Sequence, residues 1–484
     1  MLLSIFLSLN FFWSKPLVPG FDAPFYLTEI KTFSFGFPTP LTYPNLDRYL
    51  TIAFPAVLSK VFNFNPVTSY RLAISVIYAA ISFALFFLFK NITKKNSIAV
   101  ILSSAIIISP FLINYSLLLA NFTAFLILFS FFAVETAREF KYKNIILCLI
   151  LGLLFYIHNF STVSFGLIIC TYFILNFIYT KDTKIIRMAT IIFSIASVIG
   201  IVALFKYVNI NSTLQQSFRI ALPTEPIAIG NERQIILDAI MVYTGKFWLY
   251  YFTGFTIISF IFFRKKLLTN KKYFLIPAAI FLPSLILSFQ PLYHLNYLPD
   301  RFATLVCLST YFFYVAAISL PAFKKFIVPL AVMPLLLNYL SSDSLILNKG
   351  YRDFTDQEIK VYQEVKPLIA ADGIILVPSD HYYWSKYFLY DHMIYEGEHF
   401  VSCGDITKPG YLGDINFTFA KLLAETDLQK ADALLTHLES ITPAKEIYIL
   451  TDEGLSCGDG KILQKIKSVK QIFNEGNWHL YEIN

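Results

Sequence analysis

Long apolar runs separated by short polar loops occupy the chain from its first residue to about position 340, after which the runs shorten and polar residues interleave them. Runs of the first kind predict transmembrane helices, because in lipid every backbone N–H and C=O must be paired within its own segment. They fall at 1–14, 66–89, 97–113, 117–134, 144–157, 162–179, 185–205, 247–263, 273–289, 302–320 and 326–340. This gives about eleven spans, several shorter than the ~20 residues of a full helical crossing. The fold class expected is mainly α: a polytopic membrane helical bundle over 1–340, followed by a small extracytoplasmic C-terminal α/β domain over 341–484.

Basic residues orient the bundle. Lys90, Lys94 and Lys95, then Arg138, Lys141 and Lys143, then Lys181, Lys184 and Arg187, then Arg264, Lys265, Lys266, Lys271 and Lys272, then Lys324 and Lys325 gather on every second loop. By the positive-inside rule those loops are cytoplasmic. The N-terminus is then cytoplasmic, and the loops 15–65, 206–246 and 290–301 and the C-terminal domain lie outside. The first apolar run lacks a basic leader and a small-residue cleavage site, so it reads as a retained helix rather than a removed signal.

In the tail, Thr355-Asp356-Gln357-Glu358 has the pattern of a capping box opening a helix toward Ala370. The run 373–377 reads as a strand stopped by Pro378, 429–439 as a helix and 446–450 as a strand. The segments 469–473 and 478–483 read as a hairpin turning at 474–477.

Composition agrees with the pattern: of 484 residues, 56% are hydrophobic and 17% aromatic, with a mean hydropathy of +0.60, which excludes a soluble globular protein. The net charge of +7 divides into +16 over 1–340 and −9 over 341–484. The positive half is the signature of the inner loops and gives no support to nucleic-acid binding. Cys148, Cys170 and Cys307 fall within apolar runs and read as packing residues. Cys403 and Cys457 each stand in a Ser-Cys-Gly-Asp sequence of the outer domain, where oxidation is permitted, so a disulfide between them and two separate thiols in turns are both open. No Cys/His spacing suits zinc, and no glycine-rich loop suits a nucleotide phosphate.

The candidate chemistry starts in the first outer loop, at Gly20-Phe21-Asp22-Ala23-Pro24-Phe25-Tyr26-Leu27-Thr28-Glu29. Proline is favoured in a first helical turn, so Asp22 can be the N-cap of a short helix to about Phe33. It can equally be a carboxylate held at the membrane surface, where partial burial raises its pKa and makes it a general base. Glu29 lies seven residues on, on the same helix face. It reads as a supporting or metal-binding carboxylate or as a solvated surface charge.

An inside-to-outside first helix, an outer loop that opens with Asp22 among aromatics, and proline-containing helices over 49–64 resemble the GT-C superfamily of integral membrane glycosyltransferases. Protein mannosyltransferases, oligosaccharyltransferases and lipid A aminoarabinose transferases belong to that superfamily, and the outer C-terminal domain is similar in position. The resemblance implies Asp22 as the catalytic carboxylate. No Asp-Glu or Asp-x-Asp pair follows it, and Asp47, beside Arg48, is the other acidic site of the loop, so a divalent metal, Mg or Mn, is left open. His158-Asn159-Phe160-Ser161 is similar to a histidine-bearing outer turn of the superfamily. His158 would then hydrogen-bond the donor phosphate or a sugar, against the alternative of a histidine among lipid headgroups. Arg301, entering a span after Asp300, has the fork that suits phosphate oxygens, or it pairs with Asp300 or snorkels. His294 is nearby in sequence and has the weaker case.

What the resemblance implies is a cell-membrane enzyme that moves a sugar from a polyprenyl-phosphate donor, held beside membrane lipids, to an extracytoplasmic acceptor that is a glycan, lipid or protein. A transporter or flippase of lipid-linked glycans is the alternative, and a non-enzymatic envelope protein a third. The spans are nearly free of charge and show no internal repeat, whereas transporters keep ionisable sites near the midplane. Charges gathered at the outer face suit an enzyme better.

Overall fold

The computed structural model describes residues 6, 10, 12, 13, 17, 23–36, 38, 48–116, 119–137, 141–200, 246–269, 271–289, 299–340, 356–377, 379–389, 393–396, 414–442, 446–452 and 462–483. The chain forms two compact units: residues 1–21 with 33–352, and residues 22–32 with 353–484. Most of the first span, most of the loop over 206–246, Asp22, Asp47, His294, Cys403 and Cys457 lie outside the described residues.

The first unit is helical. Its described helices are the last residues of α1 (Ala23–Phe35), then α2 (Tyr49–Phe62), α3 (Pro66–Thr93), α4 (Asn96–Ile107), α5 (Pro110–Ser116), α6 (Leu119–Thr136), α7 (Lys143–Leu154), α8 (Asn159–Thr180), α9 (Thr183–Ile199), α10 (Lys246–Thr269), α11 (Lys271–Ser288), α12 (Pro299–Ile318) and α13 (Ile327–Leu340). Local chemistry fixes their ends. Asn65 accepts from the Thr68 N–H at 2.7 Å ahead of Pro66, and Asp182 accepts from the Lys184 N–H at 2.9 Å to open α9. Lys94 and Lys181 end α3 and α8 in the left-handed conformation. The run 97–113 is two helices rather than one. Proline lacks an N–H and clashes with the preceding turn, so α4 stops at Ile107 and a new helix starts at Pro110, with Ser109 Oγ accepting from the Leu112 N–H at 3.2 Å.

Among the described residues four helices are long and apolar enough to cross a membrane: Pro66–Thr93, Leu119–Thr136, Ser161–Thr180 and Arg301–Ile318. Five shorter apolar helices accompany them, at Tyr49–Phe62, Asn96–Ile107, Lys143–Leu154, Phe274–Ser288 and Ile327–Leu340. The expected count of about eleven spans is not reached by this measure, because caps and proline breaks cut several runs below crossing length. These helices make the chain a membrane protein. Arg301–Ile318 is the most enclosed of the four, 89% buried, and Ser161–Thr180 the least, 39%. Several polar side chains of the bundle interior find partners there: Trp248 Nε1 donates to Asn338 Oδ1, Asn338 Nδ2 to the Ala105 carbonyl, and Tyr311 Oη to the Leu102 carbonyl.

The second unit is α/β, with α14 (Asp356–Val365), β1 (Ile374–Val377), α15 (Ser379–Phe388), β2 (Met393–Glu396), α16 (Asp414–Ala424), α17 (Leu428–Ile441), β3 (Ile447–Asp452), β4 (Val469–Glu475) and β5 (Trp478–Ile483). The sheet order is β2-β1-β3-β5-β4, with β2, β1 and β3 parallel and β5 and β4 antiparallel. Parallel neighbours need crossovers, which α15 supplies between β1 and β2, and α16 and α17 between β2 and β3. Ile374, Leu376, Ile447, Ile449, Tyr481 and Ile483 form the core with Phe419, Leu422, Leu435 and Leu438 of α16 and α17. The hairpin turns at Gly476, whose φ of +61° is open to glycine. Helices α15 and α16 and strand β2 are additions to the sequence expectation.

Candidate functional site

His158 is the focus of the described site. It caps α8 in an extended conformation, φ −168° and ψ 124°, outside both neighbouring helices, and its Nδ1 accepts from the Ser161 N–H at 3.4 Å. That acceptor role assigns the proton to Nε2. Ser161 Oγ stands 3.1 Å from the same nitrogen and donates to Asn121 Oδ1, on α6, at 3.3 Å. The imidazole is 7% exposed.

Helix α2 brings the second group. The Leu50 N–H donates to the Tyr156 carbonyl at 3.0 Å, and Thr51 Oγ1 to the Ile157 carbonyl at 3.3 Å, so the start of α2 is docked on the turn that carries His158. Arg48 immediately precedes this helix. The third group is Arg301, in the first turn of α12, the most enclosed span. Burial, then the charge of Arg301, then that of Arg48 hold the His158 pKa well below its ordinary value. A neutral imidazole presenting Nε2–H beside two guanidiniums is a donor set for an anion.

Arg301 and Arg48, both singled out by sequence, are thus within electrostatic reach of His158. Glu29 lies on α1, partly exposed, in the stretch that belongs with residues 353–484. Asp22, Asp47 and His294 lie outside the described residues. Among the described residues no group of three or more His, Cys, Asp or Glu could hold a metal ion. Around His158 the two guanidiniums oppose a divalent cation, so these described residues do not fit one.

Sequence reasoning passed over Asn121 and Ser161, which fix the His158 ring, and Arg71. Arg71 lies within the span Pro66–Thr93, with its guanidinium 5.6 Å from the Trp13 ring centroid. Asn121 at the start of an apolar run and Arg71 inside one were the available signals.

The chain is thus a helical membrane bundle with a histidine and two arginines at helix N-termini, followed in sequence by a small α/β unit. The crystal structure of the Archaeoglobus fulgidus oligosaccharyltransferase in complex with zinc and sulfate is similar to this chain, with a TM-score of 0.61 and 14% sequence identity over 93% of this chain and 67% of that one. At that identity the likeness is one of fold, and the GT-C fold expected from the sequence is present. No protein-family model and no curated protein matches the sequence.

Proposed function

We propose that this protein is a membrane glycosyltransferase that moves a sugar from a polyprenyl-phosphate donor to an extracytoplasmic acceptor, with Asp22 as general base. The observation that carries the reading is the meeting of neutral His158 with Arg48 and Arg301 in a bundle of GT-C fold. A polyprenyl phosphate is the leaving group such a donor set suits, and a membrane bundle suits its isoprenoid tail. The archaeal oligosaccharyltransferase of similar fold supports the same class of reaction.

In this reading the Asp22 carboxylate takes the proton of the acceptor hydroxyl or amine as its lone pair forms a bond to C1 of the sugar. The C1–O bond to phosphate breaks, its electron pair going to the departing phosphate oxygen. Arg301, His158 Nε2–H and Arg48 stabilise the charge developing there. One displacement inverts the anomeric carbon. Asp47, Glu29 and His294 are supporting candidates. A metal, were one used, would draw on carboxylates of the first loop, and no step above is routed through it.

Incubating membranes with radiolabelled polyprenyl-phosphate glucose or mannose tests the assignment. Wild type is expected to release polyprenyl phosphate, and Asp22→Asn to release it ~10³-fold more slowly. Equal release by both would remove Asp22 as the base. Movement of intact lipid-linked sugar across vesicles, with no release, would support carriage instead.

A further inference from the structure

The helix that follows Asp22 is held from an unexpected quarter. Lys31, on α1, donates from Nζ to the Tyr387 carbonyl at 3.3 Å, across a sequence separation of 356 residues, and stands 5.5 Å from the Tyr387 ring centroid. Residues 22–32 belong with 353–484 in one compact unit. Tyr387 is the penultimate residue of α15, where carbonyls lose their intrahelical partners and the helix dipole leaves partial negative charge. An ammonium there caps the helix C-terminus and meets the ring face at once.

The platform under this contact is rigid. Tyr362 of α14, fully buried, stacks on Phe388 at 5.0 Å between ring centroids, and its Oη lies 2.9 Å from Ser385 Oγ. The Trp478 ring of β5 meets Tyr362 edge-on at 5.6 Å. Helix α14, itself backed by β5 through Trp478, therefore fixes the end of α15 that receives Lys31. Burial pushes the Tyr387 phenol up to about 12, so its ring stays neutral and available to the cation at physiological pH.

From these contacts we infer that Lys31 is a positioning residue for the transfer reaction, and that the C-terminal α/β unit, through Tyr387, orients the helix that Asp22 precedes. The inference rests on the reading of Asp22 as the base. A misplaced base lowers the rate of the chemical step while leaving donor binding intact. This separates positioning from donor contact and from a general loss of folded protein.

The test uses the full chain, extracted in detergent and sized to confirm folding, with the radiolabelled polyprenyl-phosphate hexose that wild type consumes. Lys31→Met is expected to lower kcat ~10- to 100-fold with the donor KM within about twofold of wild type, and Lys31→Arg, which keeps the cation and its donors, to recover activity to within about threefold. Should Lys31→Met fail to fold, Tyr387→Leu removes the ring and keeps the carbonyl, with an expected loss of about threefold or more. Wild-type kcat in a folded Lys31→Met or Tyr387→Leu protein, alongside a dead Asp22→Asn, would overturn the positioning role and leave the base in place. A raised donor KM at unchanged kcat, or no recovery in Lys31→Arg, would overturn it as well. Wild-type turnover by Asp22→Asn would remove the base and this inference together.

Discussion

Glu135 and Lys143 meet as opposite charges at one turn of the bundle, whereas Arg48 and Arg301 bring two like charges to bear on His158 at another. In the first cluster Lys143 Nζ lies 3.5 Å from Glu135 Oε2 and donates to the Glu135 carbonyl at 2.8 Å, while Tyr172 Oη donates to Glu135 Oε1 at 3.2 Å. Both ions are buried, Lys143 4% and Glu135 6% exposed, and each offsets the other's desolvation. Opposite charges that meet in this way fasten two helices without exposing either charge to lipid. The second cluster, among the described residues, concentrates charge of one sign about a ring kept neutral. A buried histidine whose pKa is strongly lowered beside two guanidiniums is the arrangement to read as a site.

The largest effect expected from this contrast is on stability. Lys143→Met leaves the Glu135 carboxylate buried without its cation and is expected to cost about 3–5 kcal/mol, read as a fall in the thermal midpoint of the extracted protein. The double variant Glu135→Met/Lys143→Met removes both charges and is expected to regain most of that loss. Turnover per folded molecule stays at the wild-type level in both. A loss of turnover larger than the loss of fold would break the comparison, because it would make the balanced pair a site too.

Next comes activity without stability. Arg301→Ala removes one of the two like charges and is expected to lower kcat ~10²-fold in the polyprenyl-phosphate assay, as the loss of a donor to developing charge does elsewhere. The thermal midpoint is read alongside, so that the loss of turnover is compared with any loss of fold. Arg301→Lys keeps the charge and loses the fork, so a partial loss separates charge from bidentate geometry.

Why one cluster was legible in the sequence and the other was not follows from where their residues stand. His158 and Arg301 interrupt the chain at the ends of apolar runs, where an ionisable residue stands out. Their meeting with Arg48 depends on helices packed from distant parts of the chain, which no local pattern records. Glu135 and Lys143 were visible only as loop charges, and Lys143 was read for topology. Most helices were legible because long apolar runs in lipid have few alternatives, and the hairpin because Gly476 fits its turn. Strand β1 was legible as a short apolar run stopped by Pro378, whereas β2, four residues long, is too short for a period to declare itself, so the parallel sheet and the crossover helix α15 required tertiary context. Nothing in the local pattern singles out Lys31, and only its contact with Tyr387 does so.

The smallest effect is the one that follows the proton itself. Burial, Arg301 and Arg48 all disfavour the imidazolium of His158, so its pKa in the folded protein lies below the 6.5 of the free side chain. The unfolded chain therefore takes up this proton first as pH falls. By linkage, the stability contributed by the neutral ring is fully present above about pH 6.5 and is lost as pH drops through the interval below it, toward the folded pKa. Between pH 7.5 and 5.5 the wild type is expected to lose about 1 kcal/mol more than His158→Gln, which keeps a hydrogen-bonding amide and cannot take the charge. Thermal midpoints of the two proteins at both pH values measure the difference. An added anion that occupies the site brings negative charge beside the imidazole, raises the histidine's pKa and flattens the wild-type slope, whereas it leaves the slope of His158→Gln unchanged. Equal slopes for both proteins, with and without the anion, would mean that the two arginines do not act on His158, and the contrast between the clusters would fail at its centre.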